Sequence, residues 1–326
     1  MHLQYPQKAY NGTASIPCSE RFFLGAIISA AKLFFMSVVC LYSIRGKAQD
    51  LEPRIYANLP KSMNALAFVY GYASGNVVTD PALPIADFKI TSHNLGVGYV
   101  RTFGIANKLS RIQVTLPYTD MAGKLKINGR DTSGARSGFG DMRVRFGINL
   151  LGSPAMDKKD FRRYQQKTIV GVSLVTSVPI GLYYSDKRIN LGTHRWAFKP
   201  EAGISRRFKR FYAEGYVGVW LYTNNNKYLV DKVQEQQPVF SVQGHVCYYF
   251  KNQMWIGING NWFNGGQTTV NKVAAGDLKD NWRVGAIWSV PFAKYHSIKL
   301  QAHTGAFTAS GLDYNIVAIS YQYVFF

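Results

Sequence analysis

The chain has 326 residues, with 38 Lys and Arg against 18 Asp and Glu, a formal net charge of +20. Three cysteines exclude a disulfide-dense scaffold, and 47% hydrophobic residues exclude a disordered chain. The 21 Tyr, 20 Phe, 6 Trp and 30 Gly favour strands and tight turns, and beyond the N-terminus no apolar run approaches the roughly 20 residues of a spanning helix.

Residues 33–44 (LFFMSVVCLYSI) carry no charge. Lys8, Arg21 and Lys32 precede them, and Arg45, Lys47 and then Asp50 come after. This basic, apolar, small-residue order predicts a secretory signal peptide over 1–49, cleaved after Gln49. A retained helix over 22–44, broken only by Lys32, is the competing reading. The exported character of the chain beyond residue 49 favours the signal peptide. Residues 50–326 are then the mature domain, with 33 basic against 17 acidic residues, a charge of +16, and Cys247 as its one cysteine.

From residue 62 onward, apolar and polar residues alternate with period two, the mark of strands with one apolar face. Twelve segments show it: 62–73, 92–104, 109–120, 138–151, 167–178, 196–206, 210–222, 238–250, 253–264, 280–291, 296–307 and 313–326. In one of them Met142, Val144, Phe146, Ile148 and Leu150 share a face, and Asp141, Arg143, Arg145, Gly147 and Asn149 share the other. Each segment is as long as a tilted membrane-spanning strand requires. Long and short connections alternate, as in barrels with long external loops and short periplasmic turns. Residues 152–166 are long where a short turn is due, and Ser153-Pro154 opening a charged stretch predicts a small surface helix. A soluble β-sandwich alternates in the same way, but it has no reason to collect aromatics at strand ends. Tyr70, Tyr72, Tyr99, Trp196, Trp220, Tyr222, Tyr248, Trp262 and Trp282 lie at such ends and predict interfacial girdles. The expected fold is therefore all-β: a transmembrane antiparallel up-and-down β-barrel of about 12 strands in the bacterial outer membrane.

If the apolar face meets lipid, the polar face lines the lumen. The inward candidates are Arg111, Gln113, Asp141, Arg143, Arg145, Lys199, Glu201, Glu214, Gln243, His245, Asn259, Asn261, Arg283, Lys299 and His303. Six are permanently basic and three acidic, so a lumen lined by them concentrates anions. The alternative role is bracing, with charges pairing across the lumen. Arg143 and Arg145 lie two residues apart on one face, roughly 7 Å along a strand, with Asp141 beside them. If the lumen is open, this pair biases it towards anions, carboxylated aromatic acids among them; if the pair only braces the wall, permeation does not depend on it.

No catalytic, metal-binding or cofactor-binding pattern stands out, and no enzyme is expected. The histidines at 93, 194, 245, 296 and 303 sit near no nucleophile motif, and Cys, His and carboxylates do not cluster as metal ligands. The basic residues are scattered without a stripe or nucleic-acid-binding motif, so nucleic acid is not an expected partner. Attraction to anionic lipopolysaccharide explains them better.

Several stretches resemble one family. They are LEPRIYANLPKSMNALAFVYGY (51–72), NLGVGYVRTF (94–103), SGFGDMRVRFGINLLGSPAM (137–156), YQQKTIVGVSLVTSVPIG (164–181), INLGTHRWAFKPEAGIS (189–205), VQGHVCYYF (242–250) and NWFNGGQTTVN (261–271). They are similar to the outer-membrane transporters associated with the meta pathway of phenol degradation, over essentially the whole mature chain. The resemblance implies a porin-like barrel passing small solutes, aromatic compounds among them. Its implied partners are outer-membrane lipid and lipopolysaccharide, a small-molecule solute and the barrel assembly machinery. The rival reading is a non-conducting structural or adhesive barrel, its lumen filled by large side chains such as Tyr212, Tyr216, Trp220 and Trp255.

Overall fold

The computed structural model describes residues 52–78, 85–127 and 129–326. The predicted leader, residues 1–49, lies outside them. In chain order the elements are β1 (Asn64–Val78), β2 (Ile85–Ile105), β3 (Lys108–Ile127), β4 (Arg130–Phe139), β5 (Met142–Leu151), α1 (Lys158–Phe161), β6 (Thr168–Val178), β7 (Ala197–Phe208) and β8 (Phe211–Tyr222). Next come β9 (Asn225–Tyr228), β10 (Lys232–Gln236), β11 (Val239–Tyr249), β12 (Trp255–Gly265), β13 (Thr268–Val270), β14 (Val273–Ala274), β15 (Lys279–Ala293), β16 (His296–Thr308) and β17 (Gly311–Phe325).

Every wall strand pairs antiparallel with its neighbours, in the order β2-β1-β17-β16-β15-β12-β11-β8-β7-β6-β5-β3, and β3 returns to β2. β4 continues the line of β5 along the upper part of β3. The result is a closed 12-strand antiparallel barrel. Closure leaves no free sheet edge, the condition a sheet must meet to lie in lipid. The seam is long and unbroken in register, from Asn64↔Phe325 to Val78↔Gly311.

Pattern and wall agree strand by strand. On β12, Ile258 is 72% exposed and its neighbour Asn259 1%. Phe240, Val242 and Val246 on β11 are exposed, while Ser241, Gln243 and His245 are buried. The apolar face therefore points outward and the polar face lines the interior, the reverse of a soluble fold. Ile287, out of phase in the sequence, is buried on the inner face with Trp255 and Cys247.

The short connections share one end of the barrel. Between β2 and β3, Ala106 and Asn107 both adopt positive φ (46° and 60°), as a two-residue type I′ hairpin requires. The helix predicted within 152–166 is a single turn, α1. Its Lys158 donates to the Tyr295 hydroxyl at 2.5 Å, which holds that phenol below its ordinary pKa. The Lys158 ammonium also sits 3.9 Å over the ring of Phe326.

Two features depart from the strand pattern. β1, β2 and β3 run for 15, 21 and 20 residues, longer than the predicted segments. The β2–β3–β4 ladder continues past the rim, and Lys126 pairs with Asp87 at 2.8 Å on this extension. The long connections 223–237 and 265–279 contain a four-stranded sheet in the order β14-β13-β10-β9. Their polar, mixed composition hides that pairing, because the partners lie in different loops.

Candidate functional site

The lumen divides into a filled half and an open chamber. Filling comes from residues 52–63, which precede β1. At the short-turn end Ser62 N donates to Thr102 O and Lys61 N to Met156 O. Ser153 Oγ donates to Asn58 Oδ1 at 2.6 Å. The segment then rises into the barrel. Arg111 donates to the carbonyl of Ile55 and, at 2.8 Å, to that of Ala57. Asn149 Nδ2 reaches Tyr56 O at 3.3 Å. These contacts satisfy main-chain carbonyls that have no sheet to pair with.

Tyr56 is the anchor of this segment, at 1% exposure. Its ring lies over Gly171 and Gly203, cross-strand partners on β6 and β7. A Cβ at either position would stand 2.3 Å from the ring. Tyr216 meets Tyr56 edge-on at 5.3 Å, and the Tyr56 hydroxyl reaches Ser173 Oγ at 3.1 Å and Glu201 O at 3.2 Å. Arg54 pairs with Glu214 at 2.9 Å, its backbone N–H donates to the same carboxylate at 2.6 Å, and its guanidinium stacks 3.9 Å over Tyr212. Glu52 reaches Arg145 at 3.0 Å.

Above this plug lies a chamber of about 230 Å³ on the long-loop side. Its floor carries Glu52 and Arg145, and its walls carry Thr115, Arg143, Ser177, Lys199, Trp220, Tyr222, Gln243 and Phe263. Arg143 and Lys199 approach the Trp220 ring at 6.0 and 5.9 Å. Beneath the wall Glu201 bridges Arg145 at 2.8 Å and Lys199 at 2.5 Å. Buried carboxylates of this kind are held by the cations around them, and each partner's removal strands the other.

The residues named from the sequence for the lumen take several different places in the structure. Arg111 and Glu214 clamp the plug. Arg145, Lys199 and Glu201 form one ionic network, which Glu52 joins. Arg143 lines the chamber. Asp141 precedes β5, and the patterning has it offset part of the charge of Arg143 and Arg145. Instead it holds a loop, accepting from Gly181 N at 3.0 Å and from Thr193 N and Oγ1 at 2.9 and 2.6 Å. His245 and Asn259 bond each other at 2.8 Å and are buried, so Asn259 does not face open water. Arg283 donates to Tyr314 O at 3.2 Å. Lys299 stands on β16 beside Ser289 and Ser320 of the adjoining strands.

Trp220 and Tyr222 correct the predicted girdle, since they line the chamber. On β8 they share phase with Glu214 and Tyr216, while Val217 and Leu221 face out. Arg54 and Tyr56 escaped site prediction because the plug has no periodicity. The one local signal was a pair of inward glycines, Gly171 and Gly203.

The family described as "Putative MetA-pathway of phenol degradation" matches residues 71–310. The chain belongs to this family. An outer-membrane channel from Pseudomonas putida F1 shares the fold with a TM-score of 0.72, at 17% identity, over 85% of this chain and 100% of that one. The β-domain of the Bordetella autotransporter BrkA gives a TM-score of 0.50, at 12% identity, over 81% of this chain and 100% of that one. At these identities the likeness is one of fold. No curated protein matches the chain. This member of the phenol-degradation family is thus a closed β-barrel whose outer wall is apolar.

Proposed function

We propose that the protein is a gated channel for small solutes, aromatic compounds among them. Solutes enter the chamber from the long-loop side and pass to the periplasm when residues 52–58 leave the lumen. The observation that carries this reading is the construction of the plug. Residues 52–58 are held by side-chain contacts and are not woven into the barrel ladder, which begins at Ser62 and Met63 with their bonds to Thr102, so they can leave while the wall stays closed. The plug's ion pairs, Arg54–Glu214 and Glu52–Arg145, offer reversible holding points. On the same reading the exposed basic loops face lipopolysaccharide, and the barrel assembly machinery inserts the chain.

The filled lower lumen also favours the rival reading, a structural barrel that never conducts. Planar-bilayer recording separates the two. A variant lacking residues 52–58 is expected to give larger and longer-lived current steps than the full mature chain. Deletion protein that keeps its heat-resistant barrel yet passes no current establishes the structural reading. Tyr56→Ala is the milder second variant, expected to raise the open fraction.

A further inference from the structure

The chamber combines two recognition chemistries in one small volume. Trp220, Tyr222 and Phe263 supply aromatic surface, and Arg143, Arg145 and Lys199 supply positive charge. At about 230 Å³ it is smaller than the roughly 300–1,000 Å³ of sites for drug-sized ligands, which suits a single ring. The Trp220 ring has the Arg143 guanidinium at 6.0 Å and the Lys199 ammonium at 5.9 Å. A ring stacked on this indole therefore brings a carboxylate substituent within reach of both cations. Guanidinium and carboxylate match as paired donors and acceptors, and the protein-lined chamber strengthens their attraction relative to water.

The approach to the chamber has the opposite character. Toward the long-loop end β3 presents Met121 and Leu125 on the face that lower down carries Thr115. With Phe88, Ile90, Ala135 and Ile189 they line a second, mainly apolar cavity of about 120 Å³, in which Arg136 is the one charged side chain. From Thr115 to Met121 is six residues, roughly 20 Å along a strand.

The chamber floor supplies a link to the plug. Among the described residues, Glu52 is the carboxylate that lines the chamber. It is 37% exposed at its side chain and holds Arg145 at 3.0 Å, while the other face of that guanidinium stays on Glu201 at 2.8 Å. A solute carboxylate arriving on the floor offers Arg145 the same ligand atoms that Glu52 does.

We propose that the chamber is a binding site for single-ring aromatic carboxylates, whose carboxylate competes with Glu52 for Arg145 and so loosens the plug from above. The exchange is non-covalent, and Arg145 keeps Glu201 throughout. It rests on the gated-channel reading for its consequence, but binding itself requires no conduction.

The test is titration calorimetry of the purified mature barrel with benzoate, with neutral benzyl alcohol and non-aromatic acetate as comparison probes. Benzoate is expected to bind saturably, and both other probes at least about tenfold more weakly, the equivalent of 1.4 kcal/mol. Glu52→Gln removes the competitor and should tighten benzoate several-fold. Lys199→Gln and Trp220→Leu should each weaken it. Because changes at Lys199 disturb the Glu201 network, Trp220→Leu and the three wild-type titrations carry the test if that variant fails to fold. Equal affinity for benzoate and benzyl alcohol, or absence of saturable benzoate binding, overturns the site. Unchanged affinity in Glu52→Gln overturns the competition. Saturable binding in a barrel that never conducts would leave the site standing and remove the gating, so the two readings fail separately.

Discussion

Arg143 and Arg145 face the same lumen from positions two apart, yet their surroundings divide them. Arg145 sits between Glu52 and Glu201 and braces plug against wall. Arg143 lies one step nearer the long-loop end and borders the chamber with Trp220. The same contrast of role holds for small residues. Gly171 is needed for close approach, because a Cβ there would stand 2.3 Å from the Tyr56 ring. Overpacking of this kind costs about 1–3 kcal/mol where the neighbours are fixed. Here the neighbour belongs to a segment outside the wall ladder, so Gly171→Ala should lift Tyr56 from its notch and leave the wall intact. The expected outcome is a higher open fraction in planar bilayers with unchanged heat resistance on gels. Wild-type gating in Gly171→Ala, alongside a conducting 52–58 deletion, rules out the notch as the plug's seat.

At the scale of the element, each strand carries its own address. β12 reads Trp-Ile-Gly-Ile-Asn-Gly-Asn-Trp from residue 255, and its outward positions are apolar while its inward Asn259 and Asn261 bond His245 and Ser241 of the adjoining β11. Ile258, at 72% exposure, tests the outer face. Arg in its place should destabilise the barrel by about 2–4 kcal/mol if the site is near the bilayer midplane, whereas Ile258→Leu should be close to neutral. Reversible urea unfolding in lipid vesicles measures both. A cost under about 0.5 kcal/mol for the arginine, the range of an ordinary surface change, places Ile258 outside the hydrocarbon.

At the scale of the whole molecule, the expected cleavage after Gln49 sets where the mature chain begins relative to the plug. Removal of residues 1–49 leaves two residues ahead of Glu52, the residue that reaches Arg145. Protein taken from outer membranes is therefore expected to begin at Asp50 on N-terminal sequencing. Recovery of the intact chain in the inner membrane overturns both the cleavage and the barrel's expected location.

The alternation of each strand is a local property, so the sequence alone determined the number of wall strands, their face toward lipid and the alternation of long and short connections. Ser177 faces in and Leu174 out for reasons written within β6 itself. The closed register, the loop sheet and the plug belong to the tertiary structure. Arg54 and Glu214 are 160 positions apart, and nothing in the neighbourhood of either names the other. The same limit applies to Asp141, whose loop partners Gly181 and Thr193 lie 40 and 52 residues away. Inward charge is legible from period-two patterning; whether that charge clamps a plug, braces a wall or borders a chamber depends on what the barrel's closure sets opposite it.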